Sequence, residues 1–205
     1  MSPRPRKAED ADVFAALVRV MKRRGPAELT LRAIASEAGI TAGALVQRFG
    51  SRRALLLAHA RHAAATGDTG VRVPAPSSSS PLEALRAVTD VYAQLASTPR
   101  AALRNLAYLH NDLADPVLRR HLLRLSRTAR TWYEQHLEQA VAAGELRPDT
   151  DVRMLARSIE VTLRGSLLNW MLYREGAAAD WLRTDLDATL GPWLARGGRP
   201  SGRRA

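Results

Sequence analysis

Apolar residues recur every three or four positions along nearly the whole chain, and glycines, prolines and hydroxyl residues break the pattern at clear boundaries. Val13, Leu17, Val20 and Met21 share one helical face that ends at Gly25-Pro26. Thr30 stands where it can cap a helix carrying Leu31, Ile34, Ala35 and Ala38, which Gly39 ends. Thr41 caps the next helix, Gly50 closes it, and Ser51 caps a fourth with Leu55, Leu56, Ala58 and His59. None of these three caps has Glu or Gln three residues on, so they are simple caps rather than capping boxes.

From Gly67 to Pro81 the pattern disappears into "GDTGVRVPAPSSSSP", which reads as a loop or linker. Val71-Arg72-Val73 is the only alternating stretch, too short for a strand. Longer helices follow. One carries Leu82, Leu85, Val88, Tyr92 and Leu95, and a second carries Leu103, Leu106, His110 and Leu113. Asp115-Pro116 opens a third, with Leu118, Leu122, Leu125, Ala129, Trp132 and His136, closed near Gly144. Another runs from about Asp151 to Glu175, ended by Gly176, and Asp180 caps the last. The expected fold is all-α in two parts: a small helical domain over 1–66, a linker over 67–80 and a larger helical domain over 81–205.

Composition removes several functional classes. Hydrophobic residues make up 46%, which excludes general disorder, and the chain has no cysteine, hence no disulfide, thiolate metal site or thiol nucleophile. No apolar run is long enough to cross a bilayer, and no segment has the order of a signal peptide. The expected location is the cytoplasm, without a membrane partner. No phosphate-cradling glycine loop, nucleophile elbow or zinc-protease helix is present, so neither catalysis nor a cofactor is expected. The net charge of +11 is unevenly placed: residues 1–62 hold twelve Lys or Arg against five Asp or Glu. An anionic partner for the first part follows. Only Lys7 and Lys22 among the 31 basic residues are lysines, a bias better explained by base composition than by many chosen contacts.

Two short helices joined through Gly39, the second capped by Thr41, form a helix-turn-helix pattern. Ala35 is small enough for a close crossing, and Gly39 supplies the left-handed backbone of the turn. Ile40, Ala44, Leu45 and Phe49 are expected to face Leu31 and Ile34. Thr41, Ala42, Gly43, Val46, Gln47 and Arg48 are then left facing out. Small residues at that end let a helix enter a major groove, where Gln and Arg meet base edges and phosphates. Arg52 and Arg53 follow as further phosphate ligands.

The segment "LTLRAIASEAGITAGALVQRFGSRRALLLAHA" (Leu29–Ala60) resembles the DNA-binding segment of the tetracycline-repressor (TetR) family of bacterial transcription regulators. The resemblance implies a phosphate contact at Thr30, base and backbone contacts at Thr41, Gly43, Gln47 and Arg48, and Arg52 in place of a phosphate-binding lysine. Ala42 and Val46 depart from the family's usual lysine and tyrosine, and Val46 is suited instead to a thymine methyl. The implied function is a ligand-released repressor that binds a palindromic double-stranded operator as a homodimer.

For the larger part the resemblance implies a small-molecule effector site and dimerisation through the last two helices. Helix 151–175 is apolar nearly all round and needs cover on more than one side. Leu163, Leu167 and Trp170, with Leu182 and Leu186 of the last helix, are the expected dimer contacts. Tyr92, His110, Trp132, His136, Thr162, Ser166 and Asn169 are the expected ligand residues, each of which taken singly could be plain core. Glu160 is better read as the i,i+4 partner of Arg164 than as a ligand group. His59 and His62 lack the further donors a metal needs. Two alternatives are a helical protein that sequesters a ligand and a ligand-independent DNA-organising protein.

Overall fold

A computed structural model describes residues 9–66 and 80–195. The basic start at 2–7, most of the 67–80 linker with Val71-Arg72-Val73, and the last ten residues lie outside the described residues. Nine α-helices make up the described residues: α1 (Asp10–Arg23), α2 (Leu31–Ala38), α3 (Ala42–Phe49), α4 (Arg52–Thr66), α5 (Pro81–Leu95), α6 (Pro99–Ala114), α7 (Pro116–Ala142), α8 (Val152–Tyr173) and α9 (Ala178–Leu190). Two 3-10 turns, Pro26–Glu28 and Gly191–Trp193, complete them, and the fold is all-α.

The local chemistry behaves as the sequence demands at most boundaries. Thr30, Thr41 and Ser51 each accept the amide three residues on, all at 3.1 Å. Ser80, Thr98 and Asp151 do the same for α5, α6 and α8. The start of α1 carries a cap the helical pattern did not reveal, with the Glu9 amide donating to the Asp12 carboxylate at 3.2 Å. One boundary differs: α9 begins at Ala178, and Asp180 lies inside its first turn instead of capping it. Ala178, Leu182, Leu186 and Leu190 form one buried stripe at intervals of four, which draws the helix back to Ala178. Asp180 then meets the positive end of the helix dipole.

The described residues form two compact units that do not follow chain order. The first contains α1–α4 together with α6 and α7 as far as Leu125. Its core is Val13, Phe14, Leu17, Val20, Leu29, Ile34, Ala35, Leu45 and Leu55, joined by Tyr108 from α6. The Tyr108 hydroxyl donates to the Arg24 carbonyl at 2.8 Å, which satisfies an acceptor where α1 stops. Burial pushes this phenol up to about 12. Asp115 caps α7 through the Val117 and Leu118 amides and takes a forked contact from Arg53 of α4, at 2.5 and 3.2 Å. The Arg53 guanidinium is the main reason the Asp115 carboxyl is held down at about 2.

The second unit contains α5, the rest of α7, α8 and α9. Leu82, Leu85 and Val88 of α5 pack with Tyr133 and Leu137 of α7, Leu155, Ile159 and Leu163 of α8, and Leu182, Leu186 and Leu190 of α9. Glu160 is buried against this core and pairs with Arg164 at 2.6 Å, the expected i,i+4 contact, and also with Arg130 of α7. Burial alone would raise the Glu160 carboxyl, but the two guanidinium groups outweigh it and leave it lowered.

Candidate nucleic-acid interface

The turn between α2 and α3 rests on Gly39, whose φ of 68° lies in the left-handed region. Its geometry lets the Ile40 amide reach back to the Ala35 carbonyl at 3.0 Å. Beyond it, α3 turns Leu45 fully inward and Phe49 partly so. Ala42 packs with them, because 42, 45 and 49 fall on one face at 100° per residue. Ala44 is exposed. The expectation for these two alanines is therefore reversed: Ala42 belongs partly to the core and Ala44 to the outward face. Thr41, Gly43, Val46, Gln47 and Arg48 are exposed as expected, and so is Thr30 at the start of α2. The two capping threonines use an oxygen lone pair for the cap, which leaves each hydroxyl proton free to donate to a phosphate.

The positive charge is already partly engaged. Arg48 forms an ion pair with Asp10 and lies 5.6 Å from the Phe49 ring centre. Arg52 donates through one nitrogen to the Pro26 and Leu29 carbonyls, at 3.0 and 3.1 Å. That ties the start of α4 to the segment leading into Thr30, a structural task the sequence could not reveal. Arg19 and Arg23 clamp Glu37 of α2, and their hydrogen bonds hold its carboxyl below the usual range. Arg32, exposed two residues past Thr30, pairs with none of the described carboxylates. Sequence reading passed over it, although its place in the first turn of α2 was the signal. The His59 and His62 rings both lie against Phe14, at 5.6 and 5.0 Å.

Residues 13–59 match the family of bacterial regulatory proteins called tetR, and residues 81–186 match the tetracyclin repressor-like C-terminal domain. The chain belongs to the TetR family. Its helix-turn-helix domain is thus that of a DNA-binding transcription regulator. No curated protein matches the chain in sequence. Among solved structures, a TetR transcription regulator from Haloarcula marismortui is 16% identical with a TM-score of 0.73, over 90% of this chain and 97% of that one. SmeT, the repressor of the Stenotrophomonas maltophilia multidrug efflux pump SmeDEF, is 23% identical with a TM-score of 0.64, over 97% of each chain. The fatty acid degradation regulator FadR from Bacillus halodurans is 17% identical with a TM-score of 0.64, over 93% and 100%. At these identities the likeness is one of fold.

In this TetR-family chain the residues expected to bind ligand do not all meet. Tyr92, Trp132 and His136 lie around the second core. Trp132 and His136 rings are 3.8 Å apart, and His136 Nδ1 lies 2.9 Å from the Trp132 carbonyl. Tyr133, overlooked in the sequence, is buried with its ring 5.7 Å from that of Trp132, and burial raises its phenol far above the ordinary value. Thr162 is tied to Thr189 of α9 at 2.9 Å, and Asn169 is exposed. Ser166 is buried with no partner for its hydroxyl. His110 is exposed on α6, in the first unit.

The expected dimer contacts lie in the core of the second unit. Leu163, Leu182 and Leu186 are wholly buried and Trp170 nearly so, within the core of a single chain; Leu167 is partly buried there too. They hold α8 to α9 and α5 within the protomer. The exposed aliphatic side chains of α8 include Met154, Val161, Leu168 and Leu172. With Ser158 and Gly165 between them they recur alternately every three and four residues, the spacing of a helix–helix seam. Among the described residues no helix is long and apolar enough to cross a membrane.

Proposed function

We propose that the chain is a homodimeric repressor that binds a palindromic operator through α3 and is released by a small-molecule effector. The observation that carries the DNA half is the outward face of α3: Thr41, Gly43, Ala44, Val46, Gln47 and Arg48 are all exposed on a helix whose other face is locked into a core. Gly43 and Ala44 leave its N-terminal end slim, and Gln47 and Arg48 supply donors farther along. Thr30, Arg32 and the helix N-termini are suited to phosphates. Arg48 exchanges Asp10 for DNA on binding. The repressor sense follows SmeT by analogy.

The α8 seam of Met154, Val161, Leu168 and Leu172 supports the homodimer, because four large apolar side chains along one helix need cover. For the effector we assign the aromatic group of Tyr92, Trp132 and His136, with the unpartnered Ser166 hydroxyl as a further polar group on α8. Those rings are packed together, so binding requires them to separate.

Selecting genomic DNA fragments with the purified protein and titrating the winning site tests the reading. A near-palindromic site is expected, with half-sites about 10 base pairs apart or somewhat more. Gln47→Ala is expected to cost ~1–3 kcal/mol at that site and to relax preference at one base pair in each half. A confirmed effector and the operator should weaken each other by the same factor, typically about 5–150-fold. Selection of no common sequence, with equal binding to all DNA, would leave the DNA-organising alternative in its place.

A further inference from the structure

Between α1, α4, α6 and the start of α7 the first unit contains a cavity of about 520 Å³, within the ~300–1,000 Å³ of small-molecule sites. Its wall is mainly aliphatic, with Met21 from α1, Leu56 from α4, and Leu118 and Leu122 from α7. One side chain in that wall has no local explanation. Asp112 of α6 is half-buried, and no hydrogen bond or ion pair to it is found among the described residues. Burial, and then the neighbouring Asp115 carboxylate, push its pKa up to about 6. Asp115 itself is satisfied by Arg53 and two backbone amides.

The other polar groups of the wall do not answer Asp112. Lys22 and Arg124 are exposed, so their charges are hydrated. The Arg124 guanidinium lies against the His121 ring, and burial followed by Arg124 lowers that imidazole. His59 is engaged with Phe14. A mainly aliphatic chamber thus holds one carboxylate whose water has been partly removed and which none of the described side chains pairs with. Such a group is costly alone and gains most from a cation brought in on an apolar body.

We propose that this cavity is a binding site for a small organic cation, with its ammonium group donating to Asp112 and its apolar body lying against Met21, Leu56, Leu118 and Leu122. An anion of the same shape would have to sit beside the unpaired carboxylate. A neutral alcohol would gain one hydrogen bond without the charge. The site stands apart from the aromatic group assigned to the effector and does not depend on the repressor reading.

The test uses three probes with one body and different heads: 4-phenylbutylamine, 4-phenylbutanol and 4-phenylbutyrate, titrated calorimetrically into the full chain at neutral pH. The amine is expected to bind at least about tenfold more tightly than either of the others. Asp112→Asn should bring the amine down to the level of the alcohol, and Ala63→Phe, which fills the chamber from α4, should weaken all three. The proposal is overturned if the three bind alike, if the carboxylate binds best, if none binds, or if Asp112→Asn keeps the preference for the amine. The comparison among probes is made on the unaltered protein, so it stands even where a variant fails to fold.

Discussion

Truncating Leu172 tests the seam on α8 without touching the fold of the protomer. Leu172 is 72% exposed, and Met154, Val161 and Leu168 are 50%, 64% and 48% exposed. Full burial of such a side chain is worth ~1.5–3 kcal/mol, so the remaining exposure leaves ~1–2 kcal/mol for each to gain. Four residues from each of two protomers give roughly 8–16 kcal/mol. Association costs ~4–15 kcal/mol. The two nearly balance, and the seam has little to spare. Leu172→Ala removes one contributor from each protomer, roughly 2–4 kcal/mol in all, which weakens the dimer about 30- to 700-fold. Leu168→Glu should do more, because it brings a carboxylate from each protomer into the same seam. Analytical ultracentrifugation over a range of concentrations reads the dissociation constant. Thermal melting by circular dichroism at low concentration should change little, as for other exposed positions. Leu163→Ala, wholly buried, should instead cost the protomer ~2–5 kcal/mol. A dimer of wild-type affinity in both Leu172→Ala and Leu168→Glu would refute the assignment.

Gly43→Ala meets only the Thr41 hydroxyl at 3.9 Å, so the fold should accept it and gain up to about 1 kcal/mol of helix propensity. Operator affinity should fall, because the added methyl stands between α3 and the groove; a stabilised variant with unchanged affinity in DNA titrations would remove Gly43 from the interface. Arg52→Ala should lower stability by roughly 1.5–3 kcal/mol in denaturant melts, since it deletes charged hydrogen bonds to the Pro26 and Leu29 carbonyls, and unaltered melts would show those bonds to be idle. The Asp112 carboxyl has a folded pKa of about 6, above its unfolded value of 3.8, so its contribution is fully present below 3.8 and is lost as the pH rises through 6. Asp112→Asn should therefore match wild type near pH 4 and exceed it in melting temperature above pH 6; a difference independent of pH would contradict this.

The caps and the turn were legible because their chemistry is local. Thr30, Thr41, Ser51 and Gly39 act within four residues of themselves, and the sequence shows all the partners involved. The exchange of Ala42 and Ala44 shows where that stops, since an alanine is equally suited to core and surface and only the helix phase set by Leu45 and Phe49 decides. For α8 the difficulty was abundance. Apolar residues cover most of its circumference, and which stripe faces α9 and which faces outward is settled by the docking of α5 and α9. The regular 154, 158, 161, 165, 168, 172 spacing was nevertheless in the chain to be read. The structural task of Arg52 and the unit to which His110 belongs were hidden for a different reason. The acceptors of Arg52 are backbone carbonyls, which carry no residue-type signal, and His110 follows α6 into the first unit through contacts some eighty residues distant.

Tyr108 and Asp115 set a rule for where this gene could be cut. One way to transplant the DNA-reading half is to join two coding sequences just past α4, near residue 66. Such a transplant would leave Tyr108 behind and with it a member of the first core and the donor to the Arg24 carbonyl. Arg53 would lose its counter-ion as well. A chimera that grafts α6 and the opening turns of α7 together with the first four helices should keep the donor's specificity, whereas one spliced at 66 should be recovered mainly from inclusion bodies.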